Sequence, residues 1–143
     1  MLTIELVPST VWYTNLRSLL SQPDWDRIRR ECYRKAGYLC EVCGGKGPKW
    51  PVECHEIWEF NDDQKTQTLT GLIALCPDCH GVKHIGLSGK RGKGQEARAH
   101  LARVNNWTTQ QAQACIRSAF EVWEERSEHE WDVDISWVRQ HFP

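Results

Sequence analysis

Four of the seven cysteines form two Cys-x-x-Cys pairs, Cys40/Cys43 and Cys76/Cys79. Each pair presents two thiolates from one tight turn, and two such turns supply the tetrahedral four-cysteine shell that structural zinc prefers. A thioredoxin-like redox function requires only one pair and leaves the second unexplained. Two unrelated pairs of free thiols are the other alternative. We predict that Cys40, Cys43, Cys76 and Cys79 hold one structural zinc ion.

The other three cysteines have different predicted environments. Cys32 and Cys115 lie on the apolar faces of predicted helices, where cysteine is expected to pack as a small hydrophobic residue. Cys54 directly precedes His55, which leaves its role open between packing and chemistry.

Three histidines form a second candidate site. His80 and His84 directly follow the second cysteine pair, and their spacing of i and i+4 places both on one face of a helix. The cysteine cluster would bring that helix against a predicted strand that carries His55. Three imidazoles could then share one divalent ion and leave positions for water and a phosphate oxygen. The alternative is that each is an ordinary surface histidine.

Hydrophobic periodicity, helix caps and turn residues predict the elements that position these side chains. A helix begins near Pro23, buries one apolar stripe and ends at Gly37; the stripe consists of Trp25, Ile28, Cys32 and Ala36. The turn at 61–63 joins the strands of a hairpin, 52–60 and 65–69. A short strand over 72–75 leads into the second cysteine pair, and a helix follows to His84.

The remaining segments are predicted to flank this centre. We predict strands over 2–7 and 131–135, a loop over 86–94, and helices over 95–104 and 108–126. The expected fold is therefore α+β, in a single domain over 1–143. Its zinc-stabilised core covers 24–86, between flanks of helices and strands over 1–23 and 87–143.

The stretch from Trp25 to His84 resembles the HNH endonucleases, also called ββα-metal or His-Me finger nucleases. The similarity is carried by three motifs: Trp25-Asp-Arg-Ile-Arg, Cys40-Glu-Val-Cys43-Gly, and Leu75-Cys76-Pro-Asp-Cys79-His80-Gly-Val-Lys-His84. The resemblance implies a small core in which a hairpin and one helix embrace a catalytic divalent metal ion. It also implies that the four cysteines add a structural zinc.

Carried onto this chain, the resemblance assigns the catalytic metal to His55, His80 and His84. Glu56 then stands where the family has its general base histidine, and Gly71 stands where it has the asparagine that orients that base. The two departures agree with each other, because an asparagine without its histidine has nothing to orient. A glutamate is ionised at neutral pH and can accept a proton, although it is a weaker base than imidazole.

Two other interpretations of this motif stay open. A register shifted by one residue makes Cys54 the ligand and His55 the base, but it asks a soft thiolate to hold a hard ion such as Mg²⁺. A decayed site is the second interpretation, and it gives no reason to retain all three histidines.

The implied activity is metal-assisted hydrolysis of phosphodiester bonds in DNA, as in phage, mobile-element or defence nucleases. A divalent ion (Mg²⁺, Mn²⁺, Ni²⁺ or Zn²⁺) would bind a phosphate oxygen and stabilise the leaving 3′-oxygen. Glu56 would activate the attacking water, so the expected catalytic residues are Glu56, His55 and His80. Lys83, between the two helical histidines, is a candidate for neutralising the transition state.

The charge distribution supports a nucleic-acid substrate. Residues 83–104 carry six cations against one acid, and residues 27–35 carry five against one. DNA contacts are expected at Lys83, Lys90, Arg91 and Lys93, and the alternative for such runs is a solvated charged face. Residues 121–134 carry seven acids and one arginine, so we expect them to face away from DNA or to contact a protein partner.

Composition limits the remaining classes. The net charge of -1 excludes a uniformly basic nucleic-acid coat. No apolar run approaches the length of about 20 residues that spans a membrane, and no signal-peptide pattern is present, so we expect a cytoplasmic protein. Two alternatives to an endonuclease remain: a catalytically silent zinc-stabilised module that binds nucleic acid or protein, and a purely structural zinc domain.

Overall fold

An antiparallel β-hairpin organises the fold of this computed structural model, which describes all residues from Met1 to Pro143. Strand β1 (Glu53–Asn61) pairs with β2 (Thr66–Leu75), and β2 pairs in parallel with a short β3 (Asp132–Asp134). Seven helices flank this sheet, which confirms the predicted α+β class: α1 (Leu16–Leu19), α2 (Gln22–Lys35), α3 (Pro77–Lys83), α4 (Ile85–Lys90), α5 (Gly94–Asn105), α6 (Thr109–Arg126) and α7 (Trp137–His141).

The hairpin turn follows from its asparagine. The Asn61 side-chain oxygen accepts hydrogen bonds from the backbone N–H groups of Asp63 and Gln64, at 3.1 and 2.9 Å. Beyond the turn the second strand continues without interruption to Leu75, whereas the sequence predicted two separate short strands. The register shifts between Ile57 and Trp58, so a bulge interrupts the ladder near the middle of β1.

Apolar side chains of the hairpin pack on both of its faces. One core joins the end of β2 to α3, α5 and α6, and it includes Leu75, Val82, Leu101 and Ile116. The other core packs α1, α2 and α7 against Cys54, Leu69 and Ala74 of the strands; its helical members include Leu16, Trp25, Ile28 and Val138. Because strand side chains alternate between faces, the neighbouring residues Ala74 and Leu75 of β2 enter different cores.

Two of the predicted helices begin at side-chain caps. Ser21 accepts a hydrogen bond from the Asp24 N–H at the start of α2, and Trp25, Ile28 and Cys32 of this helix are buried. Thr108 and Gln111 form a reciprocal capping box at the start of α6. These two helices and α5 confirm the sequence predictions to within a few residues, while α1 and α7 were not predicted.

Two predictions for the flanks are wrong. Residues 2–7 form no strand, because their polar partners are side chains rather than a neighbouring strand: the Leu2 N–H donates to Asn105 Oδ1 at 2.7 Å. Residues 86–94, predicted as a loop, contain most of helix α4. Burial of Ile85 and a 2.7 Å hydrogen bond from Ser88 Oγ to the Gly81 carbonyl hold that helix against α3 and override the poor helix propensity of its glycines.

None of the helices combines the length and the apolar character needed to cross a membrane.

Candidate metal centres

The four predicted zinc cysteines converge, which confirms the grouping expected from their spacing. Their Sγ atoms all lie within 4.8 Å of one another. Cys40 and Cys43 lie on the turn that follows α2, Cys76 is the N-cap of α3, and Cys79 lies in the first turn of that helix. The group is compatible with a structural metal ion such as zinc.

Backbone N–H groups surround the sulfur atoms. The Cys43 N–H donates to Cys40 Sγ at 3.5 Å, and the Cys79 N–H donates to Cys76 Sγ at 3.4 Å. Gly45 N–H donates to Cys43 Sγ at 3.4 Å. Gly44 adopts a φ of 76°, a left-handed conformation that glycine reaches without strain and that turns the chain back after Cys43.

The thiols need a cation for all four to ionise together. Burial opposes ionisation of Cys40, but hydrogen bonds from the backbone of Cys43, Cys76 and Val42 outweigh it and lower the pKa of this thiol to about 7. Burial raises the pKa of Cys76 to about 11 and also raises the pKa of Cys79. A divalent ion at the centre reverses this balance, so the donor set fits a metal better than it fits four free thiols.

A histidine that sequence reasoning missed contacts this cluster. His100 Nε2 lies 3.1 Å from Cys79 Sγ, and Arg103 donates to His100 Nδ1 at 3.1 Å from the next turn of α5. Because the guanidinium can only donate, Nδ1 accepts and the ring proton is on Nε2, where it points at the sulfur. No local pattern in the sequence marked this contact, since α5 reaches the cluster only through tertiary packing.

The three predicted histidines also converge. The ring centroid of His55 lies 5.1 Å from those of His80 and of His84. His80 lies in α3, His84 is the C-cap residue of that helix, and their rings are 4.7 Å apart. His80 Nε2 and His84 Nε2 approach to 3.1 Å. A ligand nitrogen from each of the three rings lies within 4.8 Å of the others. The strand–strand–helix order of β1, β2 and α3 therefore forms a second group that could bind a metal ion.

Glu53 is the acid that contacts this group. Its Oε1 lies 3.0 Å from His80 Nδ1, and this hydrogen bond lowers the pKa of Glu53 below its ordinary value. A carboxylate that accepts from Nδ1–H leaves the Nε2 lone pair of His80 free for a metal. Sequence reasoning missed Glu53, although its position two residues before His55 on a strand places both on one face.

His55 is the most enclosed of the three histidines, with 9% of its surface exposed. Its Nδ1 is buried and has no hydrogen-bond partner. Burial, and then the neighbouring His80 and His84, lower its pKa to about 2, while burial lowers the pKa of His84 to about 4. Neutral imidazoles with one unpartnered buried nitrogen are the donor set expected of a divalent metal site.

Glu56, predicted as the base, is adjacent to His55 but lies on the other face of β1. Its Oε1 accepts the Leu16 N–H at 2.9 Å, at the start of α1. It also lines a cavity that reaches His55. Gly71, at the position of the family's asparagine, pairs with Ile57 on the neighbouring strand.

Cys54, whose role the sequence left open between packing and chemistry, lies in the core with Cys32 and away from the histidine cluster. Cys54 is buried in the core between β1 and α2, and Cys32 packs in the same core. A hydrogen bond with Cys32 and burial raise the pKa of Cys54. Cys54 points away from His55 because consecutive side chains of a strand alternate between faces.

The predicted DNA-binding cations divide into two kinds. Lys83 is buried, and its ammonium group donates to Thr3 Oγ1 and to Glu5 Oε2, each at 2.9 Å. Lys90, Arg91 and Lys93 are exposed, at and after the end of α4. Lys90, Arg91 and Lys93 are thus accessible to a ligand, whereas Lys83 is occupied by its hydrogen bonds to the N-terminal segment.

No protein-family model, curated protein or solved structure matches this chain. The chemistry of the two clusters therefore has to be inferred from their own donor atoms and geometry. Those donors are four sulfurs that suit a structural zinc ion and three imidazole nitrogens that suit a second ion.

Proposed function

We propose that this protein is a metal-dependent endonuclease that hydrolyses phosphodiester bonds in DNA, in the manner of the HNH nucleases that it resembles. The observation that carries the proposal is the convergence of His55, His80 and His84 on one face of a hairpin and helix. A structural zinc site would hold one end of that same helix through Cys76 and Cys79. Such a helix would keep the two helical imidazoles in place.

The three histidines would hold the catalytic ion through neutral nitrogens. When bound, a divalent ion supplies Lewis-acid stabilisation of charge on the phosphate and on the leaving oxygen. Glu53 fixes the His80 ring so that its Nε2 points into the group. The low pKa values of His55 and His84 keep both rings unprotonated at neutral pH, which leaves their lone pairs available.

Glu56 is the proposed acceptor of the proton from the attacking water. The Leu16 N–H holds one of its carboxylate oxygens, and the side chain lines the cavity that also reaches His55. This backbone donor orients the carboxylate, as the family's asparagine orients its histidine. The exposed cations Lys90, Arg91 and Lys93 would bind the phosphodiester backbone, a contact that weakens with salt.

The decisive experiment is a cleavage assay on plasmid and single-stranded DNA with Mg²⁺, Mn²⁺ or Ni²⁺. We expect wild type to nick or cut with at least one of these ions, and His80→Ala to reduce the rate by about a hundredfold or more. Glu56→Gln should reduce the rate while leaving metal affinity unchanged, as expected of a general base.

His129→Ala is the matched control, because His129 is an exposed histidine outside both clusters. This variant should cut at the wild-type rate. Equal residual nicking by wild type and His80→Ala would show that the activity comes from a contaminant and would overturn the proposal.

A catalytically silent, zinc-stabilised binding module is the second candidate. The observation that favours it is the position of Glu56. This residue stands where the family has its general base histidine, and its side chain faces α1 on the opposite side of the strand from His55. For this module we expect salt-sensitive binding of nucleic acid, or binding of a protein partner through the acidic segment 121–134, with no cleavage under any ion.

A further inference from the structure

A cavity of about 690 Å³ opens beside the histidine cluster. His55 and His84 line one side of it, so the cavity and the proposed metal site share a wall. Its other walls come from the N-terminal segment, the middle of β1, α4 and α6. Its aromatic lining consists of Trp12, Trp58, Phe120 and Trp123. This volume is in the range of small-molecule sites in proteins.

Exposed apolar side chains are concentrated around this cavity. Trp12 is 72% exposed, Leu87 is 47% exposed and Ile57 is 42% exposed, and all three line it. Exposed large apolar residues that gather around one concavity indicate a binding site, whereas isolated ones need no explanation. The cavity is therefore a candidate site for a ligand with a large apolar face.

The walls of the cavity are held by hydrogen bonds. The Trp123 indole N–H donates to the Val7 carbonyl at 3.0 Å. Asn105 fixes Leu2 through both of its backbone polar groups, at 2.7 and 2.8 Å. Lys83 ties Thr3 and Glu5 to α3 between these two points. The N-terminal segment is thus a fixed wall, and the cavity is preformed.

The charged side chains that line the cavity are two acids, Glu5 and Glu56, and two lysines, Lys83 and Lys90. Glu5 is paired with Lys83, and Glu56 accepts the Leu16 N–H. Lys90 lines the cavity, is exposed and takes part in none of the ion pairs of the protein. A ligand that joins an aromatic ring to a phosphate would match the aromatic walls and this cation together.

We propose that the cavity binds one unpaired nucleobase of the DNA strand whose phosphate lies at the histidine cluster. This inference rests on the proposed nuclease function and adds the class of substrate to it. A base inside a duplex is stacked and paired, so it reaches such a cavity only from a single strand or after extrusion. The preferred substrate therefore has an unpaired base next to the phosphate that is cut.

Trp12 is the residue that we expect to stack on the base. It lies at the rim and is largely exposed, and its one aromatic partner is Tyr13, which meets it edge-on at a centroid distance of 6.2 Å. Base–aromatic stacking tolerates every base because each has a π-face. The cavity would therefore select an unpaired structure rather than a sequence.

The test measures binding without cleavage, using protein that holds one equivalent of zinc, enough for the cysteine cluster, with no other divalent ion added. The three labelled probes are a DNA hairpin with one unpaired base, the same hairpin with an abasic unit at that position, and the fully paired duplex. We expect wild type to bind the unpaired-base probe about tenfold more tightly than the abasic probe. Trp12→Ala should remove this difference and Trp12→Phe should retain it.

Tyr38→Ala is the matched control, because Tyr38 is a 52% exposed aromatic residue that does not line the cavity. This variant should discriminate between the probes as wild type does. Equal binding of the abasic and unpaired-base probes by wild type would overturn the base site. If Trp12→Ala lost the same affinity for all three probes, the base site would also be overturned. That result would indicate a surface for another apolar ligand.

The cleavage and binding experiments together distinguish failure of the nuclease proposal from failure of the base-site proposal. Discrimination between the probes without cleavage under any ion would support the base site and overturn the nuclease. Cleavage that proceeds with the same efficiency on paired and unpaired substrates, and without discrimination in binding, would support the nuclease and overturn the base site.

Discussion

His80 Nδ1 lies 3.0 Å from Glu53 Oε1, so a carboxylate on β1 holds the histidine of α3. The contact crosses from the hairpin to the helix, and it orients the opposite nitrogen of the ring toward His55 and His84. Carboxylates that accept from the second ring nitrogen fix the orientation of metal-binding histidines and make them better donors. Glu53 therefore links the geometry of the hairpin to the affinity of the proposed metal site.

Glu53→Ala is expected to weaken divalent-metal binding at the histidines by about 10- to 100-fold, because the His80 ring loses its orienting partner. Glu53→Gln should have a smaller effect, since its amide oxygen can still accept the hydrogen bond. Competition of Mn²⁺ or Co²⁺ with a chromophoric chelator measures the affinity. Glu59→Ala is the control, because Glu59 is exposed further along the same strand. Unchanged affinity in Glu53→Ala would contradict the prediction.

His100→Ala is expected to speed the loss of zinc from the cysteine cluster by about tenfold. The His100 ring donates a hydrogen bond that stabilises negative charge on Cys79 Sγ. Zinc release to a coloured chelator gives the rate, with His129→Ala as the control on the surface. Identical release rates in wild type and His100→Ala would show that the contact between His100 and Cys79 does not stabilise the bound zinc.

Removal of zinc is expected to unfold the centre of the protein. Cys76→Ser should lower the free energy of unfolding by more than about 4 kcal/mol, because loss of a structural metal is among the largest single effects. Cys115→Ser is the matched control, since this half-buried cysteine lies outside the cluster. Thermal unfolding with and without chelator, and metal content by mass spectrometry, test the prediction. A chelated protein with an unchanged Tm would refute a structural role.

The hairpin tip is tied to the end of α6 by an ion pair. Arg126 donates to both carboxylate oxygens of Asp62, at 2.8 and 3.1 Å, and its guanidinium lies 4.5 Å from the centre of the Phe60 ring. Because Asp62 is largely exposed, the pair is expected to contribute less than about 1 kcal/mol, and the cation–π contact to add a similar amount. Arg126→Ala should thus destabilise the protein by about 1 kcal/mol.

The Asp62 contribution should depend on pH. The hydrogen bond from Arg126 lowers the pKa of Asp62 in the folded state. Stability from this group is therefore present above its unfolded pKa of about 4 and is lost as the pH falls through its lower folded value. In urea unfolding, the deficit of Asp62→Asn should be visible at neutral pH and shrink toward about pH 3. Asp63→Asn, on the same turn, is the control and should show no deficit at neutral pH, because Arg126 pairs with Asp62 and not with Asp63.

Much of the metal chemistry was predictable from local sequence. The spacing within each cysteine pair and the i, i+4 histidines set their relative positions through short-range geometry, which is the same wherever a turn or helix forms. Pro23 and Thr108 marked the starts of two helices for the same reason. The resemblance to HNH nucleases also rests on these local motifs.

Other features depend on contacts between distant parts of the chain. Glycine-rich α4 is held by burial of Ile85, and the extended residues 2–7 are held by Asn105 and Lys83. His100 reaches Cys79 because α5 packs on α3. No periodicity in a single segment encodes such partners, since their positions depend on how separate elements pack.

The sequence by itself determined which residues could bind metal, because ligand type and spacing are local properties. Only the tertiary structure decided which acid serves the histidines: Glu53 shares a face with His55, while Glu56 faces α1. The physical reason is that side chains of β1 alternate between its two faces. The register of β1 against β2 and the packing of the helices determine which of these faces meets α3.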